Sequence, residues 1–142
     1  MTGRAGCGGV VRNHLGEWIA GFSHQIGICP ASMAEKCAIL KGLQLTWDLG
    51  LHRVVVESDA TEVIDILNGK GDYTGNDLVV CQINYLRRNP WDLRFQFIHS
   101  EGNTVADSLA KHGIVASVFF DTCPEYLKVL LQQDTLGFIS HL

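Results

Sequence analysis

Three acidic residues, Glu35, Asp59 and Asp107, are spaced so that each belongs to a different predicted element of the chain. Glu35 precedes Ile39 by one helical turn and Leu43 by two, so it projects from the apolar face of its helix. Carboxylates that point inward from three elements repel one another unless a cation neutralises them. Hard divalent ions such as Mg²⁺ choose oxygen ligands, and two of them can hold a phosphodiester for in-line attack by water. The three acids are therefore candidate metal ligands.

Two of these acids stand at positions where α/β proteins commonly bind ligands. Asp59 directly follows the apolar strand predicted at 53–58 and marks the carboxyl edge of the sheet. Asp107 falls in the first turn of a helix predicted to begin at Asn103, with Ala110 on the same face. Both positions suit a carboxylate that faces a shared site.

The same spacing also suits helix capping, which would give the acids a purely structural role. Each acid is three residues from a partner that completes a capping box or an N-terminal cap, in the pairs Ser32–Glu35, Asp59–Glu62 and Thr104–Asp107. Negative charge in the first turn of a helix also interacts favourably with the helix dipole. Residue spacing alone leaves the capping and metal-binding interpretations open.

The elements that carry the acids follow the order β-β-α-β-α-α-β-α, which predicts an α/β domain with a mixed sheet. A hairpin around the turn at 13–16 and a proline at position 30 precede the first helix. The predicted strands are 5–13, 17–28, 53–58 and 93–98, and the predicted helices are 33–49, 60–67, 77–86 and 103–115, with a further short helical piece at 126–131.

Length and composition are those of one packed globular domain. The chain has 142 residues, of which 46% are hydrophobic and 18% charged, with a formal net charge of −4. A chain of this length buries roughly two thirds of its unfolded surface, so it needs no disulfide or structural metal. The mild acidity also argues against a general nucleic-acid binder, because nonspecific affinity comes mostly from Lys and Arg.

The five cysteines are odd in number and contain no CxxC pair, which excludes a zinc knuckle and a thioredoxin-type motif. They are expected to be buried, reduced thiols. No apolar stretch approaches the ~18 residues of a membrane span, and no hydrophobic signal region opens the chain. We therefore expect an intracellular protein without a membrane partner, in the nucleus or the cytoplasm.

Several runs together resemble a known family, and they read GCGGVVRN, LGEWIAGF, SMAEKCAILKGLQLTWDLG, VVVESDA and FIHSEGNTVADSLAKHG. In consecutive order they are similar to a type 1 ribonuclease H domain. Within that group they most resemble the plant domains derived from non-LTR retrotransposon reverse transcriptases. The resemblance covers roughly 3–115, so we divide the chain into an N-terminally truncated RNase H-like domain at 1–117 and a C-terminal extension at 118–142.

The resemblance implies a mixed five-stranded sheet and hydrolysis of the RNA strand of RNA–DNA hybrids with Mg²⁺, or with Mn²⁺ in its place. Glu35, Asp59 and Asp107 fall on the family's metal ligands. His99 falls where members carry a histidine that helps proton movement or product release, although a loop histidine without a role is equally compatible. Ser32, which stands where some members place Asn or Gln against the hybrid, is a candidate substrate-binding residue, as is Asn103.

This chain departs from the family in its first strand, which carries an aspartate and lies at the centre of the family's sheet. No acidic residue precedes Glu17, so that fourth carboxylate has no counterpart. We expect a further N-terminal segment, another segment or a partner chain to complete the sheet. An active nuclease therefore stands beside an alternative, a catalytically inactive remnant that binds nucleic acid or protein weakly.

A second departure concerns the grip on the substrate. The basic, Trp-bearing handle of some bacterial members is reduced here to Arg87, Arg88 and Trp91, which suit either phosphate contacts or a surface helix end beside a core Trp. Affinity for a hybrid is expected to be weak and steeply salt-dependent. No GxGxxG, Walker or GxSxG motif occurs, so we expect no small-molecule cofactor.

Overall fold

The computed structural model describes residues 2–70, 77–99, 104–114, 116–133 and 138–140. In chain order the elements are β1 (Thr2–Asn13), β2 (Trp18–Pro30), α1 (Ala31–Asp48), β3 (Arg53–Ser58), α2 (Thr61–Leu67), α3 (Leu78–Leu86), β4 (Asp92–Phe97), α4 (Thr104–Gly113), β5 (Val118–Phe120), a 3-10 turn (Glu125–Leu127), α5 (Lys128–Gln133) and β6 (Phe138–Ser140). Within these ranges, six strands form one sheet in the order β4-β3-β6-β1-β2-β5. The predicted α/β class and the order of the first eight elements are confirmed.

The start of α1 differs from the prediction, and the difference removes the proposed capping box. The helix begins at Ala31, two residues earlier than predicted, and Pro30 is its extended N-cap with no side-chain cap hydrogen bond. Because Ser32 is already helical, its hydroxyl does not occupy the cap position. The Ser32–Glu35 capping box is therefore wrong.

The turn between β1 and β2 is built by one asparagine, as the hairpin prediction requires. The Asn13 side-chain oxygen accepts hydrogen bonds from the backbone N–H groups of Leu15 and Glu17, both at 2.9 Å. Gly16 adopts φ +80°, a conformation that residues with a side chain rarely adopt. The hairpin thereby fixes the register of the two longest strands.

Glycines in β1 allow helix α4 to lie directly on the strand. A Cβ atom added to Gly8 would lie 2.5 Å from the backbone nitrogen of Ala110, and one added to Gly6 would collide with the carbonyl oxygen of Ala110. The glycine-rich run is therefore a packing surface, which brings Asp107 of α4 over β1.

The sheet carries helices on both faces, each with its own apolar core. Val11, Val54 and Val56 face a cluster that holds apolar residues of α1, α2 and α3. Val10 faces a smaller cluster that contains Leu109 of α4 and apolar residues of the C-terminal segment. The sheet is therefore the middle of three layers, with α1, α2 and α3 on one face and α4 on the other.

Strand β6 occupies the centre of the sheet, between β1 and β3. It runs parallel to β1 and antiparallel to β3, with Phe138 paired to both Val11 and Val56. Strand β6 pairs with three residues of β1 and with three residues of β3. One residue beyond the pairs that Val11 and Val56 make with Phe138, Val10 of β1 lies opposite Glu57 of β3. No described strand lies between these two residues, and two inter-strand spacings separate their backbones by about 10 Å. The expectation that another segment enters the centre of the sheet is thus met in part by the chain's own β6.

Two further findings concern the cysteines and membranes. None of the five cysteines forms a disulfide, but only Cys7 is fully buried and Cys81 is exposed, so the expectation of burial holds for part of the set. Burial raises the pKa of the Cys7 thiol to about 12. None of the helices in the described ranges has both the length and the apolar character needed to cross a membrane.

Candidate active site

A cavity of about 230 Å³ lies at the carboxyl end of β3, where the sheet has no described central strand. Its walls come from the edges of β1 and β3, from α1 on one face of the sheet and from α4 on the other. Glu35, Asp59 and Asp107 all line this cavity. The structure therefore brings together the three acids that the sequence singled out.

Glu35 and Asp59 interact electrostatically across this cavity. Partial burial raises the pKa of Glu35, and the negative charges of Asp59 and Glu62 raise it further. Among the described residues, no cation forms an ion pair with Glu35 or Asp59. This part of the cavity therefore carries uncompensated negative charge.

The capping interpretation of Asp59 is also wrong. The N-cap of α2 is Ala60, and no side chain forms a cap hydrogen bond there. Ser58 instead accepts the Ala60 N–H through its hydroxyl, at 3.1 Å, and the backbone oxygen of Asp59 accepts the N–H of Thr61. The Asp59 carboxylate is thus left to the cavity.

Asp107 differs from the other two acids because it has a cationic neighbour. Its carboxylate lies 3.2 Å from the Lys111 ammonium one turn further along α4, and both side chains are mostly exposed. Such exposed pairs contribute about 0–1 kcal/mol, so an incoming ligand displaces them easily. Helix α4 begins at Thr104, and the residues directly before it lie outside the described ranges.

Glu57 is a fourth acid in the cavity, and the sequence interpretation missed it. It is 7% exposed, and burial raises its pKa to about 7 against the opposing effect of the Arg12 charge. No described cation lies within ion-pair distance of its carboxylate. A signal was present, because Glu57 interrupts an apolar strand and strand alternation puts it on the same side as Asp59.

The donor set fits a hard divalent cation in kind, although it is not a preformed cage. All the acids supply carboxylate oxygens, which Mg²⁺ and Mn²⁺ prefer. Within the described ranges, no three His, Cys, Asp or Glu side chains converge closely enough to hold a metal ion. Glu35, Asp59 and Asp107 are the residues that would hold the ion.

The remaining predicted site residues do not line the cavity in the described structure. His99 is exposed beyond the end of β4, where its ring meets Phe97 edge to face at 5.5 Å. Ser32 is exposed in the first turn of α1. Asn103 lies outside the described residues.

The residues proposed as a reduced basic handle make internal contacts. Arg87 donates to the backbone oxygen of Leu67 at 2.8 Å and stacks over Phe95. Trp91 donates its indole N–H to the backbone oxygen of Leu86 at 3.1 Å. These contacts favour the structural interpretation of Arg87 and Trp91 over phosphate binding.

The family model described as reverse transcriptase-like matches residues 1–113. This chain belongs to the reverse transcriptase-like family. A curated Arabidopsis thaliana member, whose name assigns it provisionally to the ribonuclease H proteins, is 33% identical over 139 residues. The match covers 95% of this chain but 22% of that relative, so the chain spans about a fifth of the relative's length.

Two solved structures share the fold of this chain. RNase H1 from the halophilic archaeon Halobacterium salinarum has a TM-score of 0.75 at 24% identity, covering 80% of this chain and 87% of that chain. The N-terminal RNase H domain of a Mycobacterium tuberculosis protein, solved as a fusion with maltose-binding protein, has a TM-score of 0.62 at 18% identity, covering 80% and 92%. This member of the reverse transcriptase-like family therefore has the RNase H fold, as the sequence predicted.

Proposed function

We propose that the cavity between β1, β3, α1 and α4 is the active site of a ribonuclease H-type hydrolase, which cuts the RNA strand of an RNA–DNA hybrid. One observation carries the proposal: Glu35, Asp59 and Asp107 line a single cavity. A structural explanation is missing for two of them, because neither Glu35 nor Asp59 takes part in a helix cap.

The roles of the residues follow from their positions. When bound by the three carboxylates, Mg²⁺ or Mn²⁺ supplies Lewis-acid chemistry and an activated water. Glu35 and Asp59 would hold the cation through negative charge that no described cation pairs, and Asp107 would hold it in place of its weak contact with Lys111. Attack of water on phosphorus breaks the bond to the 3′ oxygen, which leaves a 3′-hydroxyl and a 5′-phosphate.

A second candidate function is a catalytically inactive module that binds nucleic acid or protein weakly. It is favoured by the separation of the acids, since no three of them converge on a metal position in the described residues. The two candidates differ in whether a hybrid is cleaved or only bound.

The test is the cleavage of a labelled RNA–DNA hybrid in Mg²⁺ and in Mn²⁺, with Asp59→Asn and Asp92→Asn compared with the wild type. Asp92 is a matched control because it is an exposed aspartate at the opposite end of the neighbouring strand. We expect Asp59→Asn to lower the rate about 100-fold or more and Asp92→Asn to leave it unchanged.

Equal rates for Asp59→Asn and the wild type would refute the proposed site. A wild type that binds the hybrid without cutting it, at any concentration of either ion, would establish the binding module instead. Binding is measured separately by fluorescence anisotropy, so the two outcomes are distinguished on the same preparation.

A further inference from the structure

A second cavity, of about 280 Å³, adjoins the candidate active site. The two cavities share Gly6, Ala34 and Ala110 as lining residues, so a ligand can extend from one into the other. The second cavity also contains two cationic side chains, Arg4 and Lys111. Negative charge in the first cavity is thus followed directly by positive charge in the second.

The wall between the two cations is formed largely by small residues. Gly6, Ala31, Ala34 and Ala110 present a methyl group or no side chain to the cavity. The close contact of Gly6 with the backbone of Ala110 holds strand and helix together along this wall. A bulky backbone such as a sugar-phosphate chain can therefore approach the main chain closely.

Both cations are accessible to an anion. Arg4 is exposed and forms no ion pair with any described acid. Lys111 contacts Asp107 at 3.2 Å, but its side chain is 75% exposed and the pair is a weak surface contact. An anionic ligand that displaces Asp107 from Lys111 would also release that carboxylate toward the first cavity.

We propose that Arg4 and Lys111 bind phosphates of a nucleic-acid strand next to the phosphate that enters the carboxylate cavity. This inference rests on the proposed function, which places the reacting phosphate in that cavity. The physical reason is electrostatic, because carboxylates repel a phosphodiester and neighbouring cations offset the repulsion. Arg and Lys on phosphates also release counter-ions from the nucleic acid, which makes the contribution of each residue measurable.

The test measures binding of a fluorescent RNA–DNA hybrid by anisotropy in EDTA, where the metal-dependent reaction does not proceed. Binding is measured from 50 to 200 mM NaCl for the wild type, Arg4→Gln, Lys111→Gln and Arg94→Gln. Arg94 is the matched control because it is an exposed arginine on β4, away from both cavities. Lys111→Arg tests whether a retained positive charge restores binding.

The slope of log K against log salt is negative, and we expect Arg4→Gln and Lys111→Gln each to make it less steep by about 0.9. Arg94→Gln and Lys111→Arg are expected to keep the wild-type slope. For Arg4→Gln and for Lys111→Gln, the binding constant should therefore fall about 3.5-fold less than that of the wild type between 50 and 200 mM NaCl. Thermal unfolding of each variant checks that the fold is retained.

Unchanged slopes for both Gln variants, or an equal loss for Arg94→Gln, would overturn the proposal. A wild type that does not bind the hybrid would overturn it too. Less steep slopes in a protein that never cuts the hybrid would support this phosphate site while refuting the proposed hydrolysis. The experiment therefore distinguishes a failure of the phosphate site from a failure of the proposed hydrolysis.

Discussion

Replacement of Glu57 by glutamine is expected to make the protein more stable at neutral and alkaline pH. The Glu57 side chain is 7% exposed, and burial raises its pKa from the ordinary 4.5 to about 7. Because the folded pKa lies above the unfolded one, the native state binds the extra proton in the interval between them. The stability that protonated Glu57 contributes is complete below pH 4.5 and is lost as the pH rises through about 7.

The size of the effect follows from the shift. One pKa unit corresponds to about 1.4 kcal/mol, so ionised Glu57 lowers the free energy of unfolding by about 3 kcal/mol above pH 7. Glutamine keeps the shape of the side chain and removes the charge. We expect Glu57→Gln to match the wild type near pH 4.5 and to exceed it by about 3 kcal/mol at pH 8.5.

The assay is urea unfolding in EDTA at pH 4.5, 5.5, 6.5, 7.5 and 8.5, with Asp92→Asn as an exposed acidic control. The difference between Glu57→Gln and the wild type isolates Glu57, because the other ionisable groups are common to both proteins. A difference that does not change with pH would refute the assignment of a raised pKa to Glu57. A wild type that gains stability between pH 5.5 and 7.5 relative to the variant would contradict the sign.

Two further predictions concern elements that position the site. Gly8→Val is expected to destabilise the fold by about 3 kcal/mol or more, because its Cβ would lie 2.5 Å from the backbone of Ala110. A midpoint of thermal unfolding equal to that of the wild type would contradict this packing. Asp77→Ala is expected to cost about 1–2 kcal/mol at pH 7, because Asp77 accepts two cap hydrogen bonds at the start of α3 and pairs with Lys36 at 2.6 Å. The Lys36 hydrogen bond lowers the pKa of Asp77, so the stabilisation is present above its ordinary value of 3.8 and is lost at lower pH. Urea unfolding at pH 7 and pH 3 measures the change, and equal losses at both pH values would contradict it.

The long periodic elements could be predicted from the sequence, because each carries a pattern or a turn signal of its own. The hairpin follows from the turn at Asn13, and β3 follows from its apolar run. Strands β5 and β6 were missed, since three residues are too few to show a period, and pairing with distant strands decides their conformation.

The candidate site could be predicted only in part. The three acids were found through spacing and family resemblance, whereas the caps were assigned wrongly because Ser32 is already helical and no side chain caps α2 at Ala60. Glu57 was overlooked because a continuous apolar run indicates a buried strand without showing which side chains face a gap in the sheet. That gap depends on the pairing of three distant strands, which no local pattern encodes.

The short strand β6 links two parts of the sheet. Among the described strands, β6 alone connects the pair β3–β4 to the group β1–β2–β5, and it does so through three residue pairs on each side. Asp59 follows β3, while Asp107 lies on a helix packed against β1. The distance between these two acids therefore depends on how β6 pairs with β1 and β3. Three residue pairs on each side are few, so we expect the amides of β6 to open more readily than those in the long β1–β2 pairing. Hydrogen exchange should therefore report the geometry of the carboxylates, since the amides of β6 would open as the two parts of the sheet move apart.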